Sequence, residues 1–224
     1  NNVQLVNIKP LQQQNAGVAG AIELTAGGAA DLHIVNGESH AILSNVRLDL
    51  AGRGLRVHNQ DAGNLTATAR TANGTVTYEL KSNFAGSDIR VNGHTELTSN
   101  YATSAEASIR SLSLEKALQI GGQGAIPLRG DLSATAHLQG TRQTPVADLA
   151  FTLTRGNVYE EPVDRLEGTA RYSNQALDIP SLEIHAPAGR VALHGSWNAA
   201  AATLRIDATD VEIAKIEHVR RVTP

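Results

Sequence analysis

The 224-residue chain has no cysteine and very few large rings: Trp 1, Phe 2 and Tyr 4. Without thiols there is neither a disulfide framework nor thiolate chemistry. Without large rings a thick sandwich core is hard to fill to native density. Many of the inward candidates are instead alanines, among them Ala67, Ala69, Ala134, Ala136 and Ala170. An elongated β structure with a thin or open interior suits that volume better than a globule does.

Other absences narrow the function. No apolar run approaches the roughly 18 to 20 residues that span a bilayer, and the first residues lack the basic-then-apolar pattern of a secretory signal. Lys+Arg 19 against Asp+Glu 22 gives a formal net charge of -3, and the cations are scattered, so the electrostatic footprint of a nucleic-acid binder is missing. No GxxxxGK[ST] sequence occurs, so the chain carries no nucleotide-driven motor of that kind. The start at Asn1 and the stop at Pro224 read as a segment excised from something longer.

What is present is alternation. From Asp131 to Gln139, Leu132, Ala134, Ala136 and Leu138 take one face and Asp131, Ser133, Thr135, His137 and Gln139 the other, the period of a half-buried strand. Gly140 and Pro145 mark its end. In LTATARTANGTVTYELKS, Asn73-Gly74 supplies the positive φ angles of a type I′ turn, and counting outward sets Thr71 against Val76, Ala69 against Tyr78 and Ala67 against Leu80. A second hairpin, DRLEGTARYSNQALDIPSLEI, turns at Asn174-Gln175 and sets Tyr172 against Leu177 and Ala170 against Ile179. Pro180 then demands an edge position, a kink or a bulge. A third, GRVALHGSWNAAAATLRIDA, returns through a short loop around 198–202.

Two segments break the period and are expected to be short helices: SLEKALQ at 113–119, and VEIAKIEHVRR at 211–221, where Thr209 and Glu212 have capping-box spacing. IRVNGHTEL and VALHGSWNA are loosely alike, which gives a repeat of roughly 100 residues. The expected organisation is a unit at 1–110, a second at 111–209 opened by a short helix, and a helix at 210–224 beginning a third. The expected fold is all-β: an elongated, curled antiparallel sheet, groove-like or jelly-roll-like, with one or two short helices.

Candidates for chemistry are weak. The eight histidines show no HxH or HExxH spacing, so no metal site is expected. Glu160 and Glu161 are adjacent and would point apart on a strand rather than converge on one bond. Asp207, Asp210 and Glu212 lack the spacing of a calcium loop. No catalytic residues, metal or cofactor are expected, and the chain is read as a non-enzyme.

The order GDLSATAHLQGTRQTPVADLAFTLTRGNVY, then DRLEGTARYSNQALDIPSLEI, then APAGRVALHGSWN resembles TamB and the wider AsmA-like family, best over 128–213 and more loosely over 45–127. That resemblance implies a bacterial envelope protein, anchored in the inner membrane, whose repeats form a long curled sheet crossing the periplasm. It also implies a lipid conduit, with phospholipid acyl chains as cargo and an outer-membrane β-barrel protein as a further partner.

The residues expected to line the trough are Leu132, Ala134, Ala136 and Leu138, then Leu149, Phe151 and Leu153, then Leu166, Ala170 and Tyr172. Leu177, Ile179, Leu182 and Ile184 continue the face, followed by Val191, Leu193 and Trp197 and by Leu204 and Ile206. Alternation alone is equally compatible with the packed core of a closed jelly roll. A structural or adhesive β-solenoid without lipid cargo is the main alternative, although the short coil period it requires is not found. A glycan-binding or hydrolytic jelly roll would need exposed ring platforms and convergent carboxylates.

Overall fold

The fold is taken from a computed structural model, which describes residues 2–8, 17–35 and 38–216, the side chains of Asn2 and of 33–42 excepted. Alternation wins almost throughout. The strands are β1 (Asn2–Gln4), β2 (Ala19–Val35), β3 (Glu38–Val57), β4 (Gln60–Ala72), β5 (Thr75–Ser82), β6 (Asp88–Glu96) and β7 (Thr103–Ser113). After one helix follow β8 (Leu128–Gly140), β9 (Pro145–Val158), β10 (Glu161–Ser173), β11 (Ala176–Ala186), β12 (Gly189–Trp197) and β13 (Ala202–Thr209). They form a single 13-stranded sheet in sequence order, antiparallel at every step, and β1 and β13 do not meet. β7 crosses positions 110 and 111 and pairs with β6 on one side and β8 on the other, so the two expected units share one unbroken ladder.

Turn chemistry sets the register. Asn73 (φ 50) and Gly74 (φ 73) make the expected tight turn, and Thr71 faces Val76, Ala69 faces Tyr78 and Ala67 faces Leu80. Less obvious pairs also take two positive φ values: His58-Asn59, Tyr159-Glu160 and Asn174-Gln175. At Pro180 the chain bulges: β11 is an internal strand, and its register shifts between Ile179 and Leu182 while β10 shifts between Thr169 and Arg171. Proline has no N–H to give the ladder, so placing the extra residue there leaves no buried donor unpaired.

The helix α1 (Leu114–Ile120) overlaps the first expected segment, 113–119, and runs one residue beyond it. The Ser113 side chain accepts from Lys116 N–H at 3.4 Å, Glu115 sits in the first turn, and Gly121 and Gly122 end it. The second expected helix does not form over 211–216. Glu212 is extended, and its N–H donates to Ala188 O at 2.7 Å, tying the chain to the turn between β11 and β12. Only Ile213–Lys215 makes a single 3-10 turn. That tertiary hydrogen bond removes the Glu212 backbone from any capping box, and 217–221 lie outside the described residues.

The sheet curls. In a flat sheet β3 and β6 would lie about 14 Å apart. Yet Tyr101, in the connection after β6, reaches Leu43 of β3, its hydroxyl accepting from the Leu43 N–H at 3.2 Å. At the opposite ends of the strands, His58 of the β3–β4 turn places Nδ1 3.0 Å from the carbonyl oxygen of Ile120 at the end of α1. A carbonyl only accepts, so Nδ1 carries the proton in that contact. Beside the His58 contact Ala62, Ala85 and Ile120 form a buried cluster with Leu55, Val57, Phe84, Leu112 and Ala117 packed against it. This local core lies over β3, β4 and β7 and closes one end of the curl.

Candidate functional site: the open apolar face

Elsewhere no second layer covers the sheet among the described residues. No described side chain is fully buried, and only eight apolar residues fall in the buried class. The accessible surface is 14361 Å², whereas a compact monomer of 23.6 kDa scales to about 9,800 Å². Apolar area that a globule would bury stays open to solvent.

Register shows how that area is arranged. One row runs Leu112, Leu132, Leu153, Leu166, Ile184 and Val191 across β7 to β12, each facing the next. A second crosses the whole sheet from Val3 through Ile22, Gly52, Leu65, Ser82, Ile89 and Ile109 to Ala134, Phe151 and Gly168, and on through Leu182 and Leu193 to Ile206, with Ser82 as its one polar member. A third sets Ala136 against Leu149 and Leu149 against Ala170, and after the Pro180 bulge resumes with Ile179, Gly195 and Leu204. A fourth links Leu138, Ala147, Tyr172, Leu177 and Trp197. All nineteen residues expected at the trough therefore share one face of β8 to β13.

Exposure divides that face in two. Over β4 to β7 it is filled by its own side chains, with Ala69 and Val76 each at 7%. Beyond β8 it opens: Leu153 beside the closed end is 5% exposed, Leu149 40%, and Trp197 and Leu204 61% and 63%. Two rings are laid down rather than raised. A Cβ added at Gly168 would meet Phe151 Cζ at 3.0 Å, and one at Gly93 would meet the Tyr78 hydroxyl at 2.7 Å. Glycine opposite an aromatic residue lets the ring lie against the backbone, which keeps the face shallow.

The other face is polar and internally neutralised. Pleating puts i and i+2 on one side, so Arg90 pairs with Asp88, Arg165 with Glu167 and Arg205 with Asp207, while Arg171 bonds Asp148 across strands at 3.1 Å. Arg90, hydrogen-bonded to Asp88, holds that carboxyl below the usual aspartate range, and Arg205 does the same to Asp207. Asp207 and Glu212 thus already have cationic partners, Glu212 through Lys215 Nζ at 2.7 Å.

Sequence spacing missed two features of the polar face. A concavity of about 610 Å³ lies here, lined by Ala107, Ala136, Leu149 and Ala170 together with Glu106, His137, Asp148 and Arg171. Glu167, Glu183 and His185 bring ligand-type atoms within 4.8 Å of one another. Glu167 and Glu183 are cross-strand partners and His185 is two residues on, a juxtaposition only register reveals. Arg165 occupies Glu167 from the same face, Nε to Oε2 at 2.8 Å, which makes the group an ion-pair network. His218 lies outside the described residues.

A smaller concavity, about 350 Å³, opens at the rim where the β6–β7 and β8–β9 connections meet the apolar face at Leu138. Among the described residues no helix is long and apolar enough to cross a membrane. Comparison of the chain with protein-family models, curated proteins and solved structures finds no match.

Proposed function

We propose that this chain is a segment of a periplasm-spanning envelope protein of the TamB and AsmA-like kind, whose trough shields phospholipid acyl chains between inner and outer membranes. It carries cargo rather than transforming it, and the parent chain is held in the inner membrane outside this segment. The observation that carries the reading is an apolar face that runs in register over β8 to β13 and is open there, with no layer packed on it among the described residues. Each methylene taken out of water is worth about 0.8 kcal/mol. Six strands at about 4.8 Å spacing offer a path of about 24 Å along which a chain can be covered. The small residues Ala134, Ala136, Ala147 and Ala170 leave it width. An outer-membrane β-barrel protein is a second partner on this reading.

Native mass spectrometry of the purified segment tests it. Phospholipid retained at a defined stoichiometry is the expected result. A protein that stays lipid-free after incubation with phospholipid micelles would instead favour a structural or adhesive segment without cargo.

A further inference from the structure

The rim concavity is where the apolar face meets an unpaired positive charge. Thr103, Gly140 and Pro145 face one another in register and form its floor beside Leu138. Tyr101 forms one bank, and Thr141 and Arg142 the other. The two connections are tied together, because Arg142 N–H donates to Asn100 O at 3.3 Å. Tyr101 sits at φ 49, an uncommon conformation for a bulky residue, and lines the concavity. Its hydroxyl accepts from Leu43 N–H, so its own proton remains free to donate.

Charge separates this place from the other concavities. The 610 Å³ concavity holds Glu106, Asp148 and Arg171, and three others along the polar face contain Asp88, Glu167 with Glu183, and Asp178. The rim concavity is lined by no carboxylate, and its one formal charge is the Arg142 guanidinium, for which no ion pair exists among the described residues. A planar fork of donors without a counter-ion suits a phosphate oxygen pair.

We propose that this rim seats the phosphate of a lipid headgroup. Arg142 is its cation and Tyr101 a hydroxyl donor, while the acyl chains pass over Leu138 onto Tyr172 and Leu149. The inference rests on the lipid reading above and adds the chemistry of the headgroup to it.

The test compares phosphatidylglycerol with diacylglycerol of identical chains, and with glycerol phosphate alone, by native mass spectrometry on the wild type, Arg142→Gln and Tyr101→Phe. Arg90→Gln, which removes a cation from the polar face, serves as the control. Arg142 is exposed, so its replacement should leave the melting curve unchanged. The expected result is a preference of about tenfold for phosphatidylglycerol over diacylglycerol, lost in Arg142→Gln, weakened in Tyr101→Phe and kept in Arg90→Gln. If Arg142→Gln retains the preference while both lipids still bind, the headgroup seat is wrong and the conduit stands. If neither lipid binds to the wild type, the conduit reading fails and the seat with it. Glycerol phosphate bound without lipid would make the site one for a free anion, which also overturns the proposal.

Discussion

Phe151 of β9 and Gly168 of β10 are register partners, and the ring of the first lies in the space left by the missing side chain of the second. Gly168 is in the buried class although it has no side chain to bury, because Phe151 and Leu182 cover it. The pair keeps one of only two phenylalanines flat against the sheet.

Gly168→Val should therefore force the ring upright. Its Cβ would stand 2.9 Å from Leu182 Cδ1 and 3.0 Å from Phe151 Cζ. Overpacking of this kind costs about 1–3 kcal/mol. A lower denaturant midpoint at unchanged slope is the expected observation. A midpoint equal to the wild type would mean that the ring already samples another position.

Trp197 is the only tryptophan and is 61% exposed on the apolar face. Its emission should shift to the blue and strengthen when phospholipid or detergent monomers are added below their micelle concentration. Unmoved emission alongside demonstrated lipid retention would place the cargo away from β12.

Leu149→Asp places a charge in the middle of the open face, where 40% exposure limits the folding penalty to about 1 kcal/mol. Lipid retention should fall to background while the far-ultraviolet spectrum is preserved. Thr135→Asp, on the opposite face, should leave retention intact. Equal effects from both would dissociate binding from the apolar face.

Gly74 holds φ 73 in the β4–β5 turn, and a Cβ there meets nothing within 4 Å, so Gly74→Ala isolates the conformational term. A loss of about 1 kcal/mol is expected from chemical unfolding.

Arg90 lowers the Asp88 carboxyl pKa in the folded protein through its hydrogen bond, so the group stabilises the fold above its unfolded value near 3.9 and loses that contribution as pH falls through the folded value. Melting temperatures of the wild type and Asp88→Asn should differ at pH 6 and converge as pH falls through the lowered folded value. A gap that persists at the lowest pH would assign the effect to something other than ionisation.

The hairpin registers were legible because Asn73-Gly74 fixes a turn length and alternation then fixes the face. Pro180 announced its bulge through its missing N–H. The failed helix at 211–216 shows what local pattern omits: Thr209 and Glu212 have the right spacing, but Ala188 O claims the Glu212 N–H from another part of the chain. Equally invisible were the shared lining of one concavity by Tyr101 and Arg142 and the grouping of Glu167, Glu183 and His185. Each depends on which strands become neighbours, and no spacing within one segment encodes that. Turns at His58-Asn59 and Tyr159-Glu160 carry no glycine, so they offer no comparable signal.

Over β9 to β13 each strand pairs only with the strands before and after it in sequence and, among the described residues, no core ties distant strands together, so cohesion in that part of the sheet is a nearest-neighbour quantity. β13, exposed at all eight residues, is held by β12 alone. That part of the molecule is thus a one-dimensional array, like a row of coupled spins. Disorder should enter at its free end and travel inward, so amide-exchange protection becomes a map of distance from the nearest boundary rather than of depth below a surface.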